Sequence, residues 1–140
     1  MGSALLVAAA VGAAIAVQVA VLGGASRRLQ PLAVSLALQI AGVIAGVVWA
    51  TAAGAWHDVL ATVRSWWWIP LGVAGWLVVA ALGYASGRIG ITLTLGVSVA
   101  VQLLIGLGVD VARGQVAVGP RPLLGVLALS AGVVLVLPRG

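Results

Sequence analysis

The stretch MGSALLVAAAVGAAIAVQVAVLGGAS, residues 1–26, contains no charged side chain, and its one large polar side chain is Gln18. An α-helix needs about 20 apolar residues to cross roughly 30 Å of hydrocarbon, so this stretch is long enough to span a bilayer once. Arg27 and Arg28 follow directly and indicate where the chain leaves the apolar phase.

Four further stretches without charge follow the first, at 29–57, 65–87, 89–109 and 122–138. The sequence therefore predicts an all-α integral membrane protein with about five transmembrane helices in a single domain, 1–140. We expect the helices near 4–24, 31–54, 69–86, 90–110 and 122–138. We expect the longer loops at Trp56–Trp67 and Arg113–Arg121.

The composition excludes several classes of protein. Hydrophobic residues make up 64% of the 140 residues and charged residues 6%, whereas a soluble domain carries about 25% charged residues. The seven arginines are spread between apolar runs and indicate anchors at the membrane surface, so no nucleic-acid partner is expected. With no cysteine, one histidine and two aspartates, the chain predicts no metal site, no cofactor and no enzymatic activity.

The arginines are divided almost equally between the two predicted faces of the membrane. Three lie on the face that holds the N-terminus: Arg64, Arg113 and Arg121. Four lie on the other face: Arg27, Arg28, Arg88 and Arg139. An excess of arginine and lysine on one face normally fixes the orientation of a membrane protein. Because neither face has a clear excess here, we expect the chain to insert both ways up. Two opposed copies would form an antiparallel dual-topology dimer with inverted-repeat symmetry. Orientation fixed by something weaker than charge, or a different helix count, is the alternative.

A few polar side chains lie inside the apolar stretches, where they are costly unless they face protein or a watery cavity. The largest are Gln18, Gln39 and Gln102, and Gln102 shares a helical face with Thr94 and Ser98 because they are spaced by four residues. The set predicts a cavity for an uncharged or zwitterionic solute, bound by Gln18, Gln102 and Ser98. Each glutamine taken alone is better explained as a clamp between helices.

Other candidates surround this polar set. Trp76 and Tyr84 are expected to line the cavity or to pack against lipid and neighbouring helices. Close helix packing is expected at two GxxxG pairs, Gly42 with Gly46 and Gly83 with Gly87. Asp110 near the end of the fourth span is a candidate coupling group for ion-driven transport.

The order and spacing of several motifs give a resemblance over almost the whole chain. The motifs are Gly12-x-x-Ile15-Ala16-Val17-Gln18, Trp67-Trp68-Ile69-Pro70-Leu71-Gly72-x-x-Gly75, Gly87-Arg88-Ile89-Gly90, Gln102 with Asp110, Arg121-Pro122-Leu123-Leu124-Gly125 and Ala131-Gly132-Val133. In these the chain resembles the YdcZ-like inner-membrane exporters of the drug/metabolite transporter superfamily. It departs from them at Leu22, where members often carry Asn, and in having no Phe.

The resemblance implies five helices, a homodimer of opposed protomers in the bacterial inner membrane, and export of a small metabolite. With the residues above, it predicts a secondary transporter for a neutral or hydrophobic solute, working by alternating access at the dimer interface. A non-transporting assembly or lipid-binding subunit and a dual-topology channel stay open. A proton-coupled exporter of organic cations would need a carboxylate in the first helix, where this chain has Gln18.

Overall fold

The protein is described by a computed structural model, in which residues 2–114, 119, 124–125, 127–128, 131–132 and 135 are described. Within these residues the chain is helical and has five helices with named bounds. They are α1 (Gly2–Ser26), α2 (Pro31–Ala53), α3 (Trp56–Arg64), α4 (Trp68–Ile89) and α5 (Ile91–Ala112). The predicted all-α class is confirmed.

Four of these helices, α1, α2, α4 and α5, are long and apolar enough to cross a membrane. In the most apolar 18-residue window of each, only 6–17% of the residues are buried inside the protein. So much apolar surface cannot face water, and lipid is the solvent that suits it. The fifth predicted span, 122–138, lies mostly outside the described residues.

The segment predicted as a long loop, Trp56–Trp67, is instead largely the nine-residue helix α3. It was missed because it is too short and too polar to be a span. Asp58 lies in its first turn and Arg64 in its last, which favours a helix through its dipole. The Thr62 hydroxyl donates to the Asp58 carbonyl (2.9 Å), and the Trp68 indole N–H donates to the Val63 carbonyl (3.0 Å). A short amphipathic helix of this kind suits the membrane surface.

Two glycines with positive φ set helix ends. Gly54 follows α2 with φ 66°, and its N–H donates to carbonyls of the last turn, a left-handed cap that stops the helix. Gly90 has φ 83° and separates α4 from α5, leaving a single residue between the two helices. Side chains with a Cβ rarely adopt such values of φ, so both positions favour glycine.

The chain divides into two compact units, residues 1–88 and 89–140. In the first unit, α1 and α4 approach closely where small residues face each other. A Cβ added at Gly23 would lie 2.5 Å from the Ser86 Oγ, and one at Gly87 would lie 3.2 Å from the Gly23 carbonyl oxygen. The Ser86 hydroxyl donates to the Val19 carbonyl of α1 (3.3 Å). Small residues permit this approach in lipid, where no hydrophobic effect draws helices together.

Two hydrogen bonds connect α2 and α4. The Ser35 hydroxyl donates to the Trp76 carbonyl (2.7 Å), and the Trp76 indole N–H donates to the Leu32 carbonyl (3.1 Å). Ser35 is fully buried. These two hydrogen bonds run in opposite directions between the same two helices and therefore tie α4 to the first turns of α2.

Candidate functional site

An apolar groove with a volume of about 430 Å³ lies between α1 and α2 in the first unit. Its lining is almost wholly apolar. The residues that line it are Gln18, Val21, Leu22, Val34, Ala37, Leu38 and Ala41. Since no lining residue is charged, the groove suits a neutral, apolar guest with one hydrogen-bonding group.

Gln18 supplies the polar group of this groove. It lies four residues past the middle of α1, about 6 Å along the helix axis, and so within the apolar length of this span. Its side chain is exposed in the single chain, and none of the hydrogen bonds between described residues involves it. An amide offers both donors and an acceptor, so Gln18 can orient a solute without charge.

Trp76 and Tyr84, both predicted to line a cavity, lie elsewhere in the first unit. Trp76 is half-buried and is held against Leu32 and Ser35 on α2, outside the lining of the groove. Tyr84 is exposed, and the guanidinium carbon of Arg88 lies 4.7 Å from its ring centroid. The structure therefore does not bring Gln18, Trp76 and Tyr84 into one recess.

The remaining polar candidates belong to α5 in the second unit. The Gln102 amide donates to the Ser98 hydroxyl at 3.1 Å, so these two side chains meet on one helical face. Asp110 lies in the last turn of α5 and is half-buried. Their roles in binding and coupling stay predictions.

The two GxxxG pairs differ in surroundings. Gly83 and Gly87 face α1, where a Cβ at Gly83 would lie 2.7 Å from the Ser26 Oγ. At Gly42 and Gly46, an added Cβ would have nothing within 4 Å among the described residues. Gly42 and Gly46 thus form an open strip on α2 in the described part of the chain.

Sequence reasoning missed the small polar residues that join α1 to α4, Ser26 and Ser86. Both stand near the ends of apolar stretches, where a serine looks like an ordinary surface residue. Their signal is the spacing: Gly23 precedes Ser26 by three residues, and Gly83 precedes Ser86 by three, so each pair occupies one helical face.

Comparison with known protein families adds one finding. Residues 3–135 match the model of the family described as "Putative inner membrane exporter, YdcZ". The chain belongs to the YdcZ family. Comparisons with curated proteins and with solved structures found no match.

Membership of the YdcZ family agrees with the four helices of spanning length, and the chain is a multi-pass inner-membrane protein. An exporter family points to a protein that is not an enzyme.

Proposed function

We propose that this YdcZ-family chain is a secondary transporter that exports a small neutral or hydrophobic metabolite. Two copies in opposite orientation would form the working unit and would expose a shared cavity to each side of the membrane in turn. The observation that carries the proposal is the groove between α1 and α2, which is apolar apart from Gln18.

The chemistry of the groove supports the solute class. A charged solute inside a bilayer needs a counter-charge or dense hydrogen bonding, and none of the groove's lining residues supplies a charge. A volume of about 430 Å³ falls within the range of small-molecule sites, about 300–1,000 Å³. A neutral solute would be held by its apolar surface and oriented by Gln18.

The exposure of the groove supports the dimer. Gln18 is exposed in the single chain, and an amide that meets lipid without a partner is costly. A second copy against the same face would cover Gln18 and would close the groove into a cavity. The near-equal division of arginines between the two predicted faces favours an opposed second copy.

Replacing Gln18 with Leu is expected to lower transport about five- to tenfold, the worth of roughly 1–1.4 kcal/mol of lost hydrogen bonding to the solute. Transport is measured as efflux from proteoliposomes loaded with a panel of labelled neutral aromatic and aliphatic solutes.

The matched control for this change is Gln39→Leu. Gln39 lies on α2 outside the groove lining, with its Nε2 3.9 Å from the Cβ position of Gly75. If Gln18→Leu and Gln39→Leu lower transport equally, or if neither change lowers it, Gln18 is not part of the solute passage. Steady unitary currents in a planar bilayer would instead establish a channel.

Leucine at both Gly42 and Gly46 is expected to reduce the dimer fraction, because the open strip on α2 is where a second helix can approach closely. The single chain should tolerate the change, since an added Cβ has nothing within 4 Å there among the described residues. The mass of the protein–detergent complex by light scattering reports the result. Gly12→Leu on α1, also in open space, is the control, and an undiminished dimer would place the interface elsewhere.

A further inference from the structure

A second recess in the first unit lies where α1 ends, α2 begins and α4 ends. Its volume is about 300 Å³, and its lining is about half polar. The lining residues are Ser26, Arg27, Pro31, Tyr84, Gly87 and Arg88. Unlike the groove beside Gln18, this pocket contains two cations.

The cations have no acidic partner close by in their own unit. The only carboxylate among residues 1–88 is Asp58, which follows the far end of α2. That helix has 23 residues and is about 35 Å long, so Asp58 is remote from the pocket. Arg28 is adjacent in sequence and adds positive charge at this end. Within the first unit, the pocket is therefore a positive site without a nearby counter-charge.

The donors in the pocket are partly oriented in advance. The Arg27 Nε–H donates to the Gly87 carbonyl at 3.2 Å, which holds the guanidinium, and its terminal nitrogens make no hydrogen bond among the described residues. The Arg88 guanidinium is stacked over the Tyr84 ring at 4.7 Å. The Ser26 Oγ is buried in the contact with Gly83 and does not face the pocket. The two guanidiniums suit a phosphate group, which accepts several hydrogen bonds.

The surroundings indicate a ligand within the membrane. The pocket lies at the ends of membrane-spanning helices, at the depth where lipid headgroups begin. Leu29 and Leu32, beside it in the chain, are 62% and 44% exposed and offer apolar contact to acyl chains. We propose that this pocket binds the phosphodiester group of an anionic membrane lipid. A basic pocket between helices at the membrane surface is a common form of lipid-headgroup site.

The proposal is tested by native mass spectrometry of the purified full chain, counting the phosphatidylglycerol molecules that it retains. The wild-type chain should retain phosphatidylglycerol in preference to phosphatidylcholine. Arg88→Gln should weaken retention about tenfold, because a charge-assisted hydrogen bond and a net charge are lost. Arg27→Gln should weaken it as well, because Arg27 also lines the pocket.

Arg28→Gln is the matched control, since it removes the same charge next to the pocket from a residue that does not line it. Equal losses in Arg28→Gln and Arg88→Gln would overturn the proposal in favour of unspecific surface charge. Inorganic phosphate that displaces the lipid at millimolar concentration would show a site for soluble anions instead. Unchanged retention in both Arg88→Gln and Arg27→Gln would show that the lipid binds elsewhere. None of these measurements depends on transport.

Discussion

Valine in place of Gly23 is expected to destabilise the chain by about 1–3 kcal/mol or more, the usual cost of overfilling a packed contact. A Cβ at this position would lie 2.5 Å from the Ser86 Oγ and 3.2 Å from the Ser86 carbonyl carbon. The second atom is backbone and cannot rotate away, so α1 and α4 must separate. Thermal unfolding in detergent, followed by the fluorescence of the six tryptophans, measures the loss.

Gly24→Val is the control for this experiment. Gly24 is the next residue of the same helix, but an added Cβ would have nothing within 4 Å among the described residues. Both variants make the same change in helix propensity, so the difference between them isolates the contact with α4. Equal unfolding temperatures would contradict the packing of α1 against α4.

A double variant sharpens the same test. The milder change Gly23→Ala meets Ser86 first, and Ser86→Gly removes the side chain that it meets. The double variant should therefore be more stable than the sum of the two single changes predicts. Such non-additivity is the signature of two residues in direct contact.

Mixed orientation in the membrane is the second large effect that we expect. The chain has no cysteine, so single cysteines can be placed at Leu29, which precedes α2, and at His57, which follows it. Leu29 is 62% exposed and the His57 side chain is 95% exposed, so both should react. A membrane-impermeant maleimide added to intact cells should label a substantial part of each variant, because the predicted arginine count is near balance.

Changing the charge should resolve the mixture. Lysine at both Leu29 and Gln30 raises the predicted count on that face from four to six against three, which favours the cytoplasm for this loop. Because position 29 then carries lysine, the cysteine is introduced as His57→Cys instead. This cysteine should become fully accessible from outside. Arg27→Gln with Arg28→Gln lowers the count to two and should make His57→Cys less accessible. Complete labelling of only one position in the chain with native charges would rule out opposed copies.

Much of the architecture follows from the order of residues alone. A lipid-facing chain must satisfy its backbone hydrogen bonds internally, so uncharged apolar stretches of about 20 residues become helices whatever their neighbours are. This is why the membrane class follows from positions such as residues 1–26. Helix α3 escaped the same reasoning because it lies outside the apolar phase, where a short polar segment is equally compatible with a loop.

The location of the candidate site follows less from the sequence pattern than the helices do. Gln18 stands out in the sequence as a lone amide in an apolar helix, but only the placement of α2 shows that it borders a groove. Trp76 looked like a cavity wall, yet its carbonyl and indole N–H are engaged with Ser35 and Leu32. The pocket at Arg27 and Arg88 joins residues 61 apart and has no local motif.

The two GxxxG pairs show where the sequence stops being informative and the tertiary structure is needed. In the sequence, Gly42 with Gly46 and Gly83 with Gly87 are equivalent, because each merely permits another helix to come near. In the tertiary structure Gly83 and Gly87 face α1, while the pair on α2 has no neighbour within 4 Å in the part of the chain that the structure describes. The apolar sequence by itself determined a helical membrane protein, since lipid leaves the backbone few other choices. Which faces meet was decided by the rotation and crossing of whole helices, because in lipid almost every face is equally apolar and only packing distinguishes them.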